Sequence, residues 1–121
     1  MAVVNAVGDV LDADDSVIAG TQAGDQRFIK PGPPRAPLPT NTVLAVVATR
    51  ASLDKRDVRW LASRGADGVT ISVRPAHTRY DGDVCFAVAA APAGEAPPAD
   101  IDVLGQLATI AVADAVRNAV R

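Results

Sequence analysis

Asn41-Thr42-Val43-Leu44-Ala45-Val46-Val47-Ala48-Thr49 is the stretch on which the reading of this chain turns. From Thr42 on it is a nearly continuous apolar run rich in β-branched residues. Such a run predicts a central strand over 42–49, buried on both faces. Just upstream, residues 20–41 hold Gly20, Gly24 and Gly32 and prolines at 31, 33, 34, 37 and 39. Proline removes backbone donors and biases the chain to extended forms, so 20–41 reads as an exposed linker running straight into the strand.

Downstream, Asp54 and Asp57 sit where a helix start favours acidic groups. Val58, Leu61, Ala62, Gly65, Ala66 and Val69 follow at helical spacing on one face. Pro75 bars continuation of that helix. Residues 77–83 (HTRYDGD) read as a polar turn, 84–91 as a second apolar strand, and 92–99 (PAGEAPPA) as a loop. Asp100 is placed to cap a last helix, whose expected core stripe is Leu104, Leu107, Ala108, Ala111, Val112, Ala115 and Val116. Upstream of the linker, residues 2–19 read as extended segments, with turns at Gly8-Asp9 and over 12–16. Two helices on one side of a sheet give a layered α+β arrangement. The 121 residues suit one domain, and the chain opens within a strand, as an incomplete domain would.

Composition narrows the function classes. The chain is 49% hydrophobic and 21% charged, which is globular rather than disordered. Aromatic residues are only 3%, so the core rests on small side chains, and further partners are expected to complete its burial. A net charge of -2 without a basic run argues against nucleic acid. One cysteine rules out an internal disulfide, and no apolar run approaches the ~20 residues of a membrane span. No basic-then-apolar leader is visible. The expectation is cytoplasmic residence with no membrane association.

Three places can carry chemistry. Thr42 is a hydroxyl at the first residue of a buried strand. Were the bond before it cut, it would hold a nucleophile and an α-amine of reference pKa about 7.7–8.0, able to serve as base for that hydroxyl. The plainer reading is a strand that begins with a β-branched residue. Asp81-Gly82-Asp83 sets two carboxylates at i and i+2, able to address one point from an extended segment; Asp-Gly is equally a turn signal. Asn5, at a strand end, can offer its amide to an oxyanion, or simply close a turn. His77, the sole histidine, reads as solvated; Cys85 reads as a small core residue and Trp60 as a packing residue. One His and one Cys lack metal-ligand spacing, so neither metal nor cofactor is expected.

Taken together, VVNAVGDVLD (3–12), NTVLAVVAT (41–49), LDKRDVRWLA (53–62) and RPAHTRYDGDVCFAVA (74–89) resemble the DmpA-like, or BapA-like, self-cleaving aminopeptidases, and most closely their nylon-oligomer hydrolase branch. The resemblance implies part of a four-layer αββα sandwich, an architecture similar to N-terminal-nucleophile hydrolases. It implies a precursor cut between Asn41 and Thr42, with 1–19 ending the α-chain part and 42–121 forming the nucleophile-bearing β-chain part. It assigns Thr42 as nucleophile, Asp81 and Asp83 as the paired acidic groups, and Asn5 as the oxyanion-region residue. It implies peptide or amide-oligomer substrates. Unpaired strand edges and apolar faces in an incomplete sheet favour self-association, so a homo-oligomer is expected. The resemblance also implies an upstream α-chain region as partner, which in the family supplies a Lys or Tyr beside the nucleophile. Two other readings stand beside it: a non-catalytic remnant acting as an assembly partner, and an acetyltransferase of the ornithine acetyltransferase type, which also cuts itself before a Thr.

Overall fold

The computed structural model describes residues 1–20, 41–79, 81–91 and 99–121. The Pro-rich linker over 21–40 and the loop over 92–98 lie outside the described residues, as does Tyr80.

The apolar run forms strand β4, Thr42–Thr49, as its composition predicts. It is the middle strand of a three-stranded sheet. On one side it pairs antiparallel with β1 (Ala2–Asn5); on the other it runs parallel to β6 (Val84–Ala89). The parallel pair is joined through helix α1, Lys55–Ser72, because a parallel return needs a crossover long enough to carry a helix. Helix α2, Ile101–Ala119, packs beside α1. Both helices lie on the same face of the sheet and bury Val43 and Ala45 of β4.

The strand is therefore not buried on both faces. Leu44 and Ala48 alternate outward and are exposed. The physical reason is that the helix pair covers one face only, so the continuous apolar run divides into a helix-facing and an open row. The open row continues on the flanking strands through Val3, Val84, Phe86 and Val88, all exposed.

Residues 2–19 also differ from a simple extended pair. Chain direction changes at Gly8, where an added Cβ would fall 2.2 Å from the carbonyl oxygen of Pro75. β1 stays in the first sheet. β2 (Asp9–Leu11) moves to a second small sheet between β3 (Val17–Ala19) and β5 (Val73–Arg74). Val10 and Val73 are directly paired there and complete the core with Val69, Val112 and Val116.

Both helix starts follow the sequence. Asp54 accepts the Asp57 backbone N–H at 2.8 Å, and Asp100 accepts those of Asp102 and Val103 at 2.9 and 3.3 Å. The helices approach through glycines. A Cβ on Gly68 would lie 2.5 Å from the Thr109 carbonyl oxygen, and one on Gly105 would strike the Trp60 ring at 2.4 Å. This packing rotates α2 away from its expected stripe. Gly105, Ala108, Val112, Ala113 and Val116 are buried, Leu104 and Ala115 are half-buried, and Leu107 and Ala111 face outward. Small residues won the inward positions because a close helix crossing has no room for Leu107.

Candidate functional site

Asn41-Thr42 is gripped from both sides at the entrance to β4. On the antiparallel side Asn5 is the register partner of Thr42, next to the pair Val3–Leu44. Directly opposed residues share a sheet face. Val3 and Leu44 also lie on the open face with Asn5 and Thr42, which are two residues away on their strands. On the parallel side Asn41 bridges Asp81 in the same register that pairs Leu44 with Val84. The ladder is interrupted between these two points by the side chain of Asp83.

Asp83 accepts the Val43 backbone N–H at 2.8 Å through Oδ1. Through Oδ2 it accepts the His77 backbone N–H at 3.1 Å and lies 3.0 Å from His77 Nδ1. Its side chain is 3% exposed. A carboxylate thus takes the place of a strand carbonyl at the start of β4 and fixes the residue after Thr42. Asp81 is held separately. Its Oδ2 accepts the Thr78 backbone N–H at 2.9 Å and the Thr78 hydroxyl at 2.6 Å, while Asp81 donates its own N–H to the Thr78 carbonyl at 3.0 Å. Asp81 Oδ1 is buried and has no hydrogen-bond partner among the described residues. The two carboxylates consequently have distinct partner sets rather than one common point.

The peptide carbonyl of Asn41 is the focus of the remaining contacts. The Thr42 hydroxyl donates to it at 2.7 Å, and the Gly82 backbone N–H donates to it at 2.9 Å. An added Cβ on Gly82 would stand 2.9 Å from Thr42 Oγ. The site therefore brings together a hydroxyl, the carbonyl one bond before it, a backbone donor on that carbonyl, and two buried or part-buried carboxylates.

His77 is exposed, as a solvated histidine would be, and it also meets Asp83 and places Nε2 3.4 Å from the Ala66 carbonyl of α1. Sequence spacing offered little to find it, because the turn over 77–83 folds back only when Asp83 turns inward. Gly82 reads in the sequence only as part of a turn; its contact here is made by a backbone N–H, which every residue but proline has. Cys85 sits on the helix-facing side, where a Cβ on Gly65 would meet its Sγ, and burial pushes its thiol pKa up.

Comparison with known proteins places these residues in a wider group. The chain is 34% identical to an uncharacterized aminopeptidase of Mycobacterium leprae (strain TN), in a match covering 85% of this chain and 31% of that protein. It is 38% identical to uncharacterized aminopeptidases of Mycobacterium bovis (strain ATCC BAA-935 / AF2122/97) and Mycobacterium tuberculosis (strain ATCC 25618 / H37Rv), each over 68% of this chain and 26% of the relative. The chain thus spans about a third or less of the length of these relatives. The family model for peptidase family S58 matches residues 1–121. With whole-chain coverage added to the motifs around Thr42 and Asp81-Gly82-Asp83, this chain belongs to peptidase family S58, the DmpA-like aminopeptidase family.

Proposed function

We propose that this chain carries the nucleophile of a self-processing amide hydrolase of the aminopeptidase or amide-oligomer type. The observation that carries the reading is the Thr42 hydroxyl at 2.7 Å from the Asn41 carbonyl oxygen, on the very peptide bond whose cleavage would make Thr42 an N-terminus. In maturation the Thr42 hydroxyl attacks the Asn41 carbonyl carbon, and water opens the resulting ester. In turnover the same hydroxyl attacks a substrate amide, with the freed amine or Asp81 and Asp83 handling the proton and Asn5 on the oxyanion. The substrates are N-terminal residues of peptides, β-peptides or short amide oligomers, as in the nylon-oligomer hydrolase branch.

The open sheet face supports a partner. Val3, Leu44, Val84, Phe86 and Val88 form an apolar row beside Asn5 and Thr42. Exposed contiguous apolar surface of this kind marks an interface. An upstream region of the same family is the proposed cover, supplying a second sheet to complete a four-layer αββα sandwich and a Lys or Tyr beside the nucleophile. Its proposed setting is cytoplasmic, in a homo-oligomer. Among the described residues no helix is long and apolar enough to cross a membrane.

The test is intact mass and N-terminal sequencing of the chain fused behind the upstream region of a mycobacterial relative. Cleavage between Asn41 and Thr42 is expected. Thr42→Ser should still cut, and Thr42→Ala should remain whole. A new N-terminus elsewhere, or a chain that never cuts, would overturn the reading and leave the assembly-partner reading in its place.

A further inference from the structure

We propose that the backbone N–H of Gly82 is the donor that holds the oxyanion formed at Asn41 when Thr42 attacks. The inference rests on the self-processing reading above and adds a group to it. Two donors converge on the Asn41 carbonyl oxygen, the Thr42 hydroxyl at 2.7 Å and the Gly82 N–H at 2.9 Å. They cannot serve alike. Attack requires the hydroxyl to turn its lone pair to the carbonyl carbon and give up its proton, which removes it as a donor. The N–H of Gly82 is then the contact left on the oxygen as it takes up charge. A distance of 2.9 Å lies within the range in which such donors act on a developing oxyanion.

The bonds balance. The Thr42 Oγ–C bond forms at the Asn41 carbonyl carbon and the carbonyl π pair moves to oxygen. The pair returns as the C–N bond breaks, and the hydroxyl proton ends on the departing Thr42 nitrogen. Water then opens the ester, giving the Asn41 carboxylate, the Thr42 hydroxyl and a free α-amine.

The surroundings of Gly82 fit this task in two independent ways. Its neighbours on both sides are pinned by their side chains: Asp81 to Thr78, and Asp83 to Val43 and His77. The N–H between them is therefore preorganised, without a rearrangement at the moment of reaction. Any side chain at 82 would also crowd the nucleophile, because its Cβ would lie 2.9 Å from Thr42 Oγ, closer than real Cβ contacts. Position 82 thus combines a donor aimed at the carbonyl with open space for the hydroxyl. After cleavage the same N–H is available to the acyl carbonyl of an incoming substrate.

The test replaces the Gly82 residue by glycolate, turning its N–H into an ester oxygen of the same shape, in the full chain carrying the upstream region and a 13C label at the Asn41 carbonyl. Loss of the donor should raise the Asn41 carbonyl stretching frequency and slow cleavage about 100-fold. Gly82→Ala should keep the frequency and slow cleavage by crowding. Hydroxylamine trapping of the ester at Asn41 should fall in parallel with the rate in both. Unchanged cleavage by a glycolate chain whose melting temperature matches the parent would overturn the proposal, as would an unchanged carbonyl frequency. A parent chain that does not cut overturns the reading of Thr42 itself; a frequency shift in that chain would then record only an ordinary ladder bond.

Discussion

Asp83 accepts the backbone N–H of Val43 across the gap between the turn before β6 and the start of β4. The donor belongs to a fully buried residue, and the side chain that satisfies it is 3% exposed. Removing one partner of a buried pair leaves the other unsatisfied, which costs about 1–3 kcal/mol. Asp83→Ala should therefore lower the free energy of unfolding by about that amount in urea titration. Asp83→Asn, which keeps an acceptor oxygen, should lose less. Processing at Asn41–Thr42 should fall more than about 10-fold in Asp83→Ala, the equivalent of ~1.4 kcal/mol in the barrier. Wild-type unfolding and processing in both variants would reduce Asp83 to a turn residue.

Leu61 and Leu107 provide a contrast within the helix pair. Leu61 is 1% exposed and Leu107 is 55% exposed. Leu61→Ala should cost about 2–5 kcal/mol, as buried large-to-small changes do. Leu107→Ala should stay within about 0.5 kcal/mol of the parent, as surface changes do. Equal losses in thermal melts of the two variants would return Leu107 to the core.

Gly68→Ala sets helix propensity against packing. Propensity alone favours alanine by about 1 kcal/mol in a helix interior. The added Cβ would lie 2.5 Å from the Thr109 carbonyl oxygen and 3.1 Å from the Ala113 nitrogen, both backbone atoms that move only if α2 moves. The net effect should be a lower melting temperature. A higher one would mean that the helices separate easily.

Cys85 should resist alkylation in the native state. Its thiol pKa is raised by burial, so at any given pH less of it is the reactive thiolate than in the unfolded chain. Iodoacetamide should label the folded chain slowly and the urea-unfolded chain at the rate of a free thiol. Fast native labelling at neutral pH would contradict the placement of Sγ against α1.

Phe86, 56% exposed on the open face, should govern self-association of the chain on its own. Phe86→Lys and Leu44→Lys should shift size-exclusion elution toward the monomer, because they break the apolar row beside Thr42. The unsubstituted chain alone should release no product from amino-acid p-nitroanilides or short amide oligomers. Turnover abolished by Thr42→Ala would overturn that last expectation.

The sequence by itself determined the local structure. β-branched residues over 42–49 set a strand of those bounds, Asp54 and Asp100 set both helix starts, and the Asn41-Thr42 and Asp81-Gly82-Asp83 motifs marked the candidate site. These features depend on propensity, capping and short motifs, which act within a few residues. Only the tertiary structure decided which face of β4 the helices cover, that β1 and β2 separate into different sheets at Gly8, and that Leu107 turns outward. It also decided that His77 joins Asp83 and that the Gly82 N–H meets the Asn41 carbonyl. Burial of one strand face and the space between two helices depend on residues distant in sequence. A backbone donor leaves no mark in the side-chain code, so its target is set only when the parallel register of β4 and β6 brings 82 beside 41.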